Sequence, residues 1–261
     1  MSVQHLDDRA QIEAFLRRSP ELHIYSIGDL DDFFWPYTTW YGWEEGGELK
    51  DIAMIYVSRT LPTVVGISQQ PAIMEGLLRE IIPLLPESFY AHLSPGIERV
   101  FSRTHVLESH GPHYKMALRD TACVRDIDCS GAIQLTVNDS ADLTRLYQES
   151  YPGNWFDLRA LETGQYYGLQ QDGRLVSVAG VHVYSERYAV AALGNIVTHP
   201  VYRRRGYAKQ VTACLCQSVL QKVEYVGLNV KADNEAAVAC YTGLGFEIVA
   251  PYGEFTITKR V

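Results

Sequence analysis

The sequence predicts an α/β protein in which short strands and amphipathic helices alternate around mixed β-sheet. Two apolar runs, 188–198 and 224–230, are rich in residues that favour buried strands. The segment between them, 209–221, carries apolar residues at helical spacing. Upstream, Asp172 and Gly173 separate two apolar runs and predict a β-hairpin. Strands and helices therefore alternate along the chain, as in α/β folds.

Length and composition indicate two globular domains. The chain has 261 residues, of which 47% are apolar and 21% charged, the proportions of an ordinary globular protein. A polar link with alternating charges covers 121–131 and is the best boundary. We therefore expect an N-terminal α/β domain over 1–122 and a second domain over 131–261.

Charge and hydropathy exclude several classes of function. A net charge of −8 argues against a general nucleic-acid-binding protein. No run approaches the 18 or more apolar residues of a membrane span. The first residues lack a basic region followed by an apolar core, so we expect no signal peptide and a cytoplasmic protein. The sequence leaves the oligomeric state open.

The cysteines and histidines predict no metal site. Five cysteines, an odd number, fit a reducing compartment. Cys214 and Cys216 are two apart on the predicted helix, so they point to different faces. Neither Cys123 nor Cys129 has a cluster of ligand residues nearby. Four histidines of the first half, His92, His105, His110 and His113, also lack metal-ligand spacing and are interpreted as surface or structural residues.

The first half shows an α/β pattern without a coenzyme motif. Asp7 and Asp8 precede a predicted capped helix that is stopped by Pro20, and a second helix is predicted over 21–32. The remaining predicted elements are strands at 37–43, 52–57, 61–67, 89–93 and 114–118, and helices at 72–85 and 97–104. The segment 33–43 holds three of the four tryptophans. It is interpreted as a core strand that is mostly buried, with an aromatic ligand platform as the alternative.

The second half begins with a strand over 132–135. A helix follows the capping residues 138–140, and a second helical piece is predicted over 157–162. After the hairpin and the two apolar runs, we expect two closing strands, at 247–249 and 254–259.

A basic, glycine-containing segment joins the strand 188–198 to the helix 209–221. Its residues are Arg203, Arg204, Arg205, Gly206, Tyr207 and Ala208. The first backbone N–H groups of a helix have no intrahelical partner, and the helix dipole adds partial positive charge there. Glycine lets a ligand approach the backbone closely, and arginines add fixed charge. This combination predicts an anion site, most naturally for phosphate.

A second motif follows about 30 residues later, with Asn234, Ala237, Tyr241, Gly245 and Phe246 at fixed spacing. Five specified residues in this order are rarely met by chance. Together the two motifs resemble those of the GNAT superfamily, the acetyl-CoA-dependent N-acyltransferases. The resemblance covers about 132–261. It implies a sheet whose two central strands splay apart to admit the pantetheine arm. Some relatives carry a degenerate acetyltransferase-like domain in front, and the first half is compatible with that.

The resemblance assigns roles to individual residues. The pyrophosphate would be held mainly by backbone N–H groups of the segment Arg203, Arg204, Arg205, Gly206, Tyr207, Ala208 and Lys209. The backbone of Ile196, Val197 and Thr198 would bind the pantetheine and polarise the thioester carbonyl. Asn234 would contact the coenzyme, and Tyr241 would act as general acid toward the departing thiolate.

The acceptor side is less defined. By resemblance, Tyr151, Trp155 and Phe156 are candidate walls of the acceptor pocket, although core residues would look identical. Asn195 and Asn229 are candidates for orienting water or the acceptor. Where relatives place a glutamate base, this chain has Asn229 or Ala192. A base acting through water, a carboxylate such as Glu186, and capture of a neutral amine all remain open.

The function that this resemblance implies is an N-acetyltransferase. It would move the acetyl group of acetyl-CoA to a primary amine of a small molecule or amino acid, and less readily to a protein amine. One alternative is a coenzyme A-binding sensor without turnover, because no carboxylate base is apparent. Another is an N-acyltransferase that uses a longer acyl-CoA. Neither a metal, a nucleic acid nor a membrane is implied.

Overall fold

The computed structural model describes residues 2–57, 61–154 and 156–260. It confirms the predicted α/β fold with mixed sheet. The twelve strands of the described chain are β1 (Ser2–Leu6), β2 (Thr38–Glu45), β3 (Glu48–Tyr56), β4 (Thr63–Gly66), β5 (Ser88–Leu93), β6 (His105–Leu118), β7 (Ala132–Gln134), β8 (Tyr167–Gln171), β9 (Arg174–Ser185), β10 (Val190–Thr198), β11 (Tyr225–Lys231) and β12 (Phe246–Lys259).

Seven α-helices accompany these strands in the described residues. They are α1 (Arg9–Leu16), α2 (Ile24–Gly28), α3 (Pro71–Ile81), α4 (Ala122–Arg125), α5 (Ser140–Ser150), α6 (Tyr207–Val219) and α7 (Glu235–Thr242). The helix predicted over 21–32 is divided into a 3-10 helix, Pro20–Leu22, and α2, and the one predicted over 97–104 is a shorter 3-10 helix, Ile97–Phe101. The helical piece predicted over 157–162 is the 3-10 helix Leu158–Thr163. Among the helices of the described chain, none has the length and apolar character needed to cross a bilayer.

The chain divides into two compact units that differ from the expected domains. One unit comprises Met1–Lys115, Lys231–Asp233 and Val249–Val261, and the other comprises Met116–Val230 and Asn234–Ile248. The reason for the difference is β12. Two short closing strands were predicted, but β12 is one continuous strand of 14 residues. Its later residues pair antiparallel with β5, so their hydrogen-bond partners belong to the first unit.

The first unit is a mixed sheet covered by α3. Strands β1 to β4 pair antiparallel in sequence order, and β4 pairs with β5 in parallel. The buried side chains of α3 recur at helical spacing and are Met74, Leu77, Leu78 and Ile81. They pack in a core that includes Phe89 and Phe101. The predicted capped helix is α1, and of Asp7 and Asp8 it is Asp8 that caps it, because its carboxylate accepts the Ala10 N–H at 2.9 Å.

The aromatic segment 33–43 is less buried than the sequence predicts. Trp40 is 1% exposed, but Phe33 and Tyr37 are 45% and 41% exposed. The expectation of a mostly buried segment is therefore wrong. Only the part within β2 alternates toward the core, whereas Phe33 packs edge-on against its neighbour Phe34, and Trp35 lies under the Arg9 guanidinium. The rings outside β2 therefore make local ring and cation–π contacts and stay partly exposed.

The second unit contains a sheet in the order β7-β8-β9-β10-β11. The first three pairings are antiparallel, and β10 pairs with β11 in parallel. The predicted β8–β9 hairpin is confirmed, with Asp172 and Gly173 at φ values of 52° and 74°. The helix α6 connects β10 to β11 and buries its apolar face, which includes Val211, Leu215 and Val219.

A disulfide links Cys129 to Cys214 on α6, with the Cα atoms 5.5 Å apart. Sequence spacing did not indicate this pair, because 85 residues separate the two cysteines. The odd number of cysteines predicted free thiols in a reducing compartment, but Cys129 and Cys214 form a disulfide. Cys123, Cys216 and Cys240 are free thiols. The disulfide ties the segment before β7 to the middle of α6.

Gly245 shows why the second motif contains a glycine. Its φ is 89°, and its carbonyl oxygen accepts the N–H groups of Arg119 and Asp120 at 3.0 and 3.2 Å. A Cβ atom at this position would lie 2.1 Å from the Asp120 carbonyl oxygen. Only glycine permits both this backbone conformation and this approach.

We predict that Gly245→Ala lowers the free energy of unfolding by about 2–5 kcal/mol, since left-handed strain adds to a backbone clash. Urea denaturation monitored by circular dichroism measures this. The matched control is Gly47→Ala, because Gly47 has a φ of 80° and open space around it. That variant should lose only about 1–2 kcal/mol. Equal losses in the two variants would contradict the close approach.

Candidate active site

The β10–β11 ladder stops part-way along both strands. It runs from the pair Val190–Tyr225 to the pair Leu193–Leu228, although β10 continues to Thr198 and β11 to Lys231. The β9–β10 ladder is irregular at the same level, with register shifts after Ala192 and after Gly194. Asn195, just beyond, has a φ of 54°. A β-bulge therefore bends β10 where its pairing with β11 ends.

Two buried tyrosines hold this bulge. The Tyr147 hydroxyl, on α5, donates to the Asn195 carbonyl oxygen at 2.9 Å. The Asn195 side-chain amide donates to the Tyr166 hydroxyl at 3.0 Å, and that hydroxyl donates to the Val181 carbonyl oxygen at 3.1 Å. Gly180 lies directly beneath the Tyr166 ring, where a Cβ atom would come within 2.1 Å of the ring. Sequence reasoning missed both tyrosines, since neither belongs to a motif.

We predict that Tyr147→Phe and Tyr166→Phe each lower the free energy of unfolding by about 1–3 kcal/mol, because each leaves a buried polar group unpaired. The two losses should not add, because both hydroxyls hold Asn195. Urea denaturation of the single and double variants measures the coupling. Tyr37→Phe is the control, as Tyr37 is 41% exposed. Strictly additive losses would show that the two hydroxyls act independently.

The basic segment adopts the geometry expected of an anion-binding loop. Arg204 and Gly206 both have left-handed backbone, with φ values of 62° and 82°, and Gly206 is the N-cap of α6. The first helical hydrogen bond runs from the Gln210 N–H to the Gly206 carbonyl oxygen at 3.0 Å. The N–H groups of Tyr207, Ala208 and Lys209 therefore precede the helical ladder and are oriented toward the loop.

The cationic side chains of this loop are exposed. Arg203, Arg204, Arg205 and Lys209 all lie at the surface. The Nε of Arg203 donates to the Thr198 carbonyl oxygen at 3.3 Å, which ties the loop to the end of β10. Arg205 lies over the Tyr202 ring at 5.2 Å. Fixed charge and the start of α6 thus meet where β10 ends.

The residues predicted to bind pantetheine, 196–198, lie in the part of β10 that does not pair with β11. On the β9 side, Val197 pairs with Val178 and Thr198 with Ser177. The Ser177 hydroxyl donates to the Val197 carbonyl oxygen at 3.2 Å and bonds the Thr198 hydroxyl at 2.7 Å. Ile196 and Thr198 are half-buried and Val197 is buried. Strand β10 is therefore anchored to β9 on one side. Its other edge faces the gap that begins where the β10–β11 ladder ends.

Asn234 and Tyr241 are both on or beside α7. The Asn234 side-chain oxygen accepts the Ala237 N–H at 3.2 Å, so this residue caps the helix. Tyr241 is 8% exposed and packs edge-on against Phe246. Burial raises the pKa of Tyr241 well above its usual value, and Cys240, Tyr151 and Cys216 add to the shift. The phenol therefore stays protonated at neutral pH and is able to donate.

The residues predicted to line the pocket for the acceptor substrate differ in burial and in contacts. Phe156 packs against the rings of Tyr147 and Tyr166, at 5.0 and 5.8 Å between centroids. The Asn195 side chain is buried in the bulge. Asn229 lies one residue past the last ladder pair, and its buried Oδ1 has no hydrogen-bond partner among the described residues. Tyr151 is 50% exposed, and Trp155 lies outside the described residues.

Glu186 is too far from the bulge to serve as the base. It follows β9 in the turn before β10, and its carboxylate accepts the Tyr184 hydroxyl at 3.0 Å. From Val190 to Asn195 alone, β10 extends about 17 Å at ~3.3 Å per residue. Ala192 is fully buried inside the ladder.

In the described part of the chain, no three His, Cys, Asp or Glu side chains are grouped to hold a metal ion.

These features define a class of protein. A bulged strand beside a broken parallel ladder leads through a basic loop into a helix, an arrangement that suits a ligand with a phosphate group. The model of the acetyltransferase (GNAT) family matches residues 134–246. The match lies in the second half of the chain and identifies an acetyltransferase domain there.

Several solved structures are similar to this chain in fold. A Drosophila protein matches with a TM-score of 0.71 at 13% identity, covering 98% of each chain. A tandem GNAT protein from the clavulanic acid biosynthesis pathway matches with a TM-score of 0.58 at 16% identity, also covering 98% of each. A GNAT acetyltransferase from Novosphingobium aromaticivorans matches with a TM-score of 0.56 at 23% identity, covering 71% of this chain and 82% of that one. None of the curated proteins compared matches this sequence.

Proposed function

We propose that this acetyltransferase moves the acetyl group of acetyl-CoA to a primary amine of a small molecule or amino acid. One observation carries the proposal. The β10–β11 ladder opens after Leu193 and Leu228, next to a loop whose left-handed residues and helical N–H groups suit a pyrophosphate. Each coenzyme motif occurs once in the sequence, so we propose one coenzyme site per chain, in the second unit.

The coenzyme would lie along the path that these elements define. The N–H groups of Tyr207, Ala208 and Lys209 would bind the pyrophosphate, with Arg203, Arg204 and Arg205 supplying positive charge. The gap-facing edge of Ile196, Val197 and Thr198 would hydrogen-bond the amide groups of pantetheine, as an added strand would. Asn234 would contact the coenzyme with the part of its amide that does not cap α7.

The chemistry is a direct acyl transfer. The amine nitrogen attacks the thioester carbonyl carbon, a C–N bond forms and the C–S bond breaks. A backbone N–H of the 196–198 edge stabilises the developing oxyanion. Tyr241 gives its phenolic proton to the departing thiolate and regains one from solvent, while the amine proton leaves to water.

The acceptor would be bound near the bulge. Phe156 is in contact with the tyrosines that hold Asn195, and with Trp155 it is our candidate for the pocket wall. The unpartnered Oδ1 of Asn229 is an acceptor beside the gap, suited to an amine N–H or an ordered water. Asn195 would act through the shape of the bulge. With no carboxylate at Ala192 or Asn229, we propose deprotonation through water.

We predict that acetyl-CoA raises the melting temperature while acetyl-pantetheine, which lacks the phosphates, raises it much less. The difference measures the pyrophosphate contacts of the loop. Gly206→Val should abolish the difference, because a branched side chain disfavours the φ of 82° and obstructs the backbone. The matched control is Gly173→Val in the β8–β9 hairpin, where φ is 74° and space is open. Equal stabilisation of the wild type by both compounds would refute the loop assignment.

We predict that Tyr241→Phe lowers kcat roughly a hundredfold to ten-thousandfold and leaves coenzyme affinity nearly unchanged, since only a hydroxyl is lost. Because burial raises the pKa of Tyr241, the donor form persists at low and neutral pH and is lost only far on the alkaline side. The rate should therefore show no fall due to Tyr241 between about pH 6 and 10. Steady-state kinetics with any accepted amine measures both, and an unchanged kcat would remove Tyr241 from the mechanism.

A second candidate is a coenzyme A-binding sensor without turnover. It is favoured by the side chains at Ala192 and Asn229, neither of which can take a proton at neutral pH. The two functions separate in one experiment, in which a broad amine library is incubated with the protein and acetyl-CoA and analysed by mass spectrometry. An acetylated product supports the transferase, whereas tight coenzyme binding without any product supports the sensor.

A further inference from the structure

The three arginines of the basic loop differ in their contacts. The Arg203 Nε donates to the Thr198 carbonyl oxygen at 3.3 Å. The guanidinium carbon of Arg205 lies 5.2 Å from the centroid of the Tyr202 ring. No hydrogen bond, ion pair or cation–π contact joins the Arg204 side chain to another residue that the structure describes. The position of the Arg205 side chain therefore depends on Tyr202.

The contact with Tyr202 leaves Arg205 able to bind an anion. Among the described residues, the Arg205 guanidinium donates to no oxygen and pairs with no carboxylate, so its five N–H donors remain available. Arg205 directly precedes Gly206, the N-cap of α6. An ordered guanidinium beside the first N–H groups of a helix suits the pyrophosphate group that we propose there.

Tyr202 is itself held by His199. The two rings meet edge-on, with their centroids 5.7 Å apart and an angle of 66° between their planes. The Tyr202 N–H donates to the His199 carbonyl oxygen at 2.8 Å. The His199 N–H in turn donates to the Val176 carbonyl oxygen on β9, also at 2.8 Å. His199 thus connects the Tyr202 ring to the sheet.

Both nitrogens of the His199 imidazole have a partner. Nδ1 accepts the Val201 N–H at 3.4 Å, so Nδ1 carries the lone pair. In the neutral ring the proton is then on Nε2, which lies 3.5 Å from the Glu149 Oε2. The same carboxylate oxygen accepts the Arg174 guanidinium. The His199 side chain is 15% exposed, and these partners fix the orientation of its ring.

We propose that His199 is a positioning residue for coenzyme binding. Through Tyr202 it holds Arg205 beside the start of α6, where the guanidinium bonds the pyrophosphate. The inference rests on the coenzyme site proposed above. Its physical basis is preorganisation, because a long side chain that is ordered before binding does not lose its rotamer freedom when the ligand arrives.

His199→Asn separates this role from a purely structural one. The amide oxygen of asparagine is attached to Cγ, as Nδ1 is in histidine, so the variant still accepts the Val201 N–H. It has no ring to contact Tyr202 and is too short to reach Glu149. In calorimetric titrations we expect acetyl-CoA to bind about twofold to tenfold more weakly than to the wild type. Binding of acetyl-pantetheine, which lacks the pyrophosphate, should not change.

Two arginine backgrounds test whether the effect passes through Arg205. In Arg205→Gln, adding His199→Asn should weaken acetyl-CoA binding no further, because the side chain to be held is gone. Arg204→Gln is the matched control. It removes the same charge from a neighbour that has no contact with Tyr202, so adding His199→Asn should have its full effect there. Tyr202→Leu should reproduce the effect of His199→Asn, and it decides the matter if that variant fails to fold.

The outcomes distinguish this inference from the proposed function. Wild-type affinity for acetyl-CoA in folded His199→Asn or Tyr202→Leu would overturn the inference and leave the coenzyme site standing. An equal effect of His199→Asn in the Arg205→Gln and Arg204→Gln backgrounds would do the same. A wild type that binds no acetyl-CoA would refute the proposed coenzyme site, and the inference with it.

Discussion

The bulge at Asn195 is the constraint on which the site depends. A parallel pair such as β10 and β11 would otherwise satisfy its backbone groups along its full length, and no gap would exist for a ligand. The left-handed backbone of Asn195 ends that pairing, at a cost in strain that must be recovered elsewhere. The hydroxyls of Tyr147 and Tyr166 supply the compensation by satisfying the Asn195 carbonyl and side chain. The shape of the candidate site in the second unit thus rests on buried hydrogen bonds.

Two ends of secondary structure meet beside this gap. The edge of β10 retains backbone groups beyond the β11 ladder, and α6 begins with N–H groups that precede its own ladder. Both are unavoidable properties of strand and helix termini. Arg203 joins them by donating to the Thr198 carbonyl oxygen. An amide-rich arm that ends in a pyrophosphate would complement the pair, so the coenzyme site that we propose rests on the backbone more than on any single side chain.

Much of the fold and part of the candidate site were predictable from local pattern. The helix α6, the β8–β9 hairpin and the loop around Gly206 follow from apolar spacing and from residues that tolerate positive φ. Contacts between distant residues were not. The Cys129–Cys214 disulfide spans 85 residues, and the second half of β12 pairs with β5, about 165 residues earlier in the chain. No local periodicity records such a partner, because strand pairing depends on which edge remains available.

The sequence by itself predicted the two GNAT-like motifs, the β8–β9 hairpin and many of the strands and helices, because these depend on neighbours within one helical turn or one loop. Tertiary structure alone decided the rest. It brought Tyr147 and Tyr166 to the bulge and removed Glu186 to the other end of β10. It also brought the carboxylate of Glu254 to the hydroxyls of Tyr90 and Tyr252. The physical reason is that burial and hydrogen-bond satisfaction act between segments, so an isolated residue type carries no sign of the partner that packing will supply.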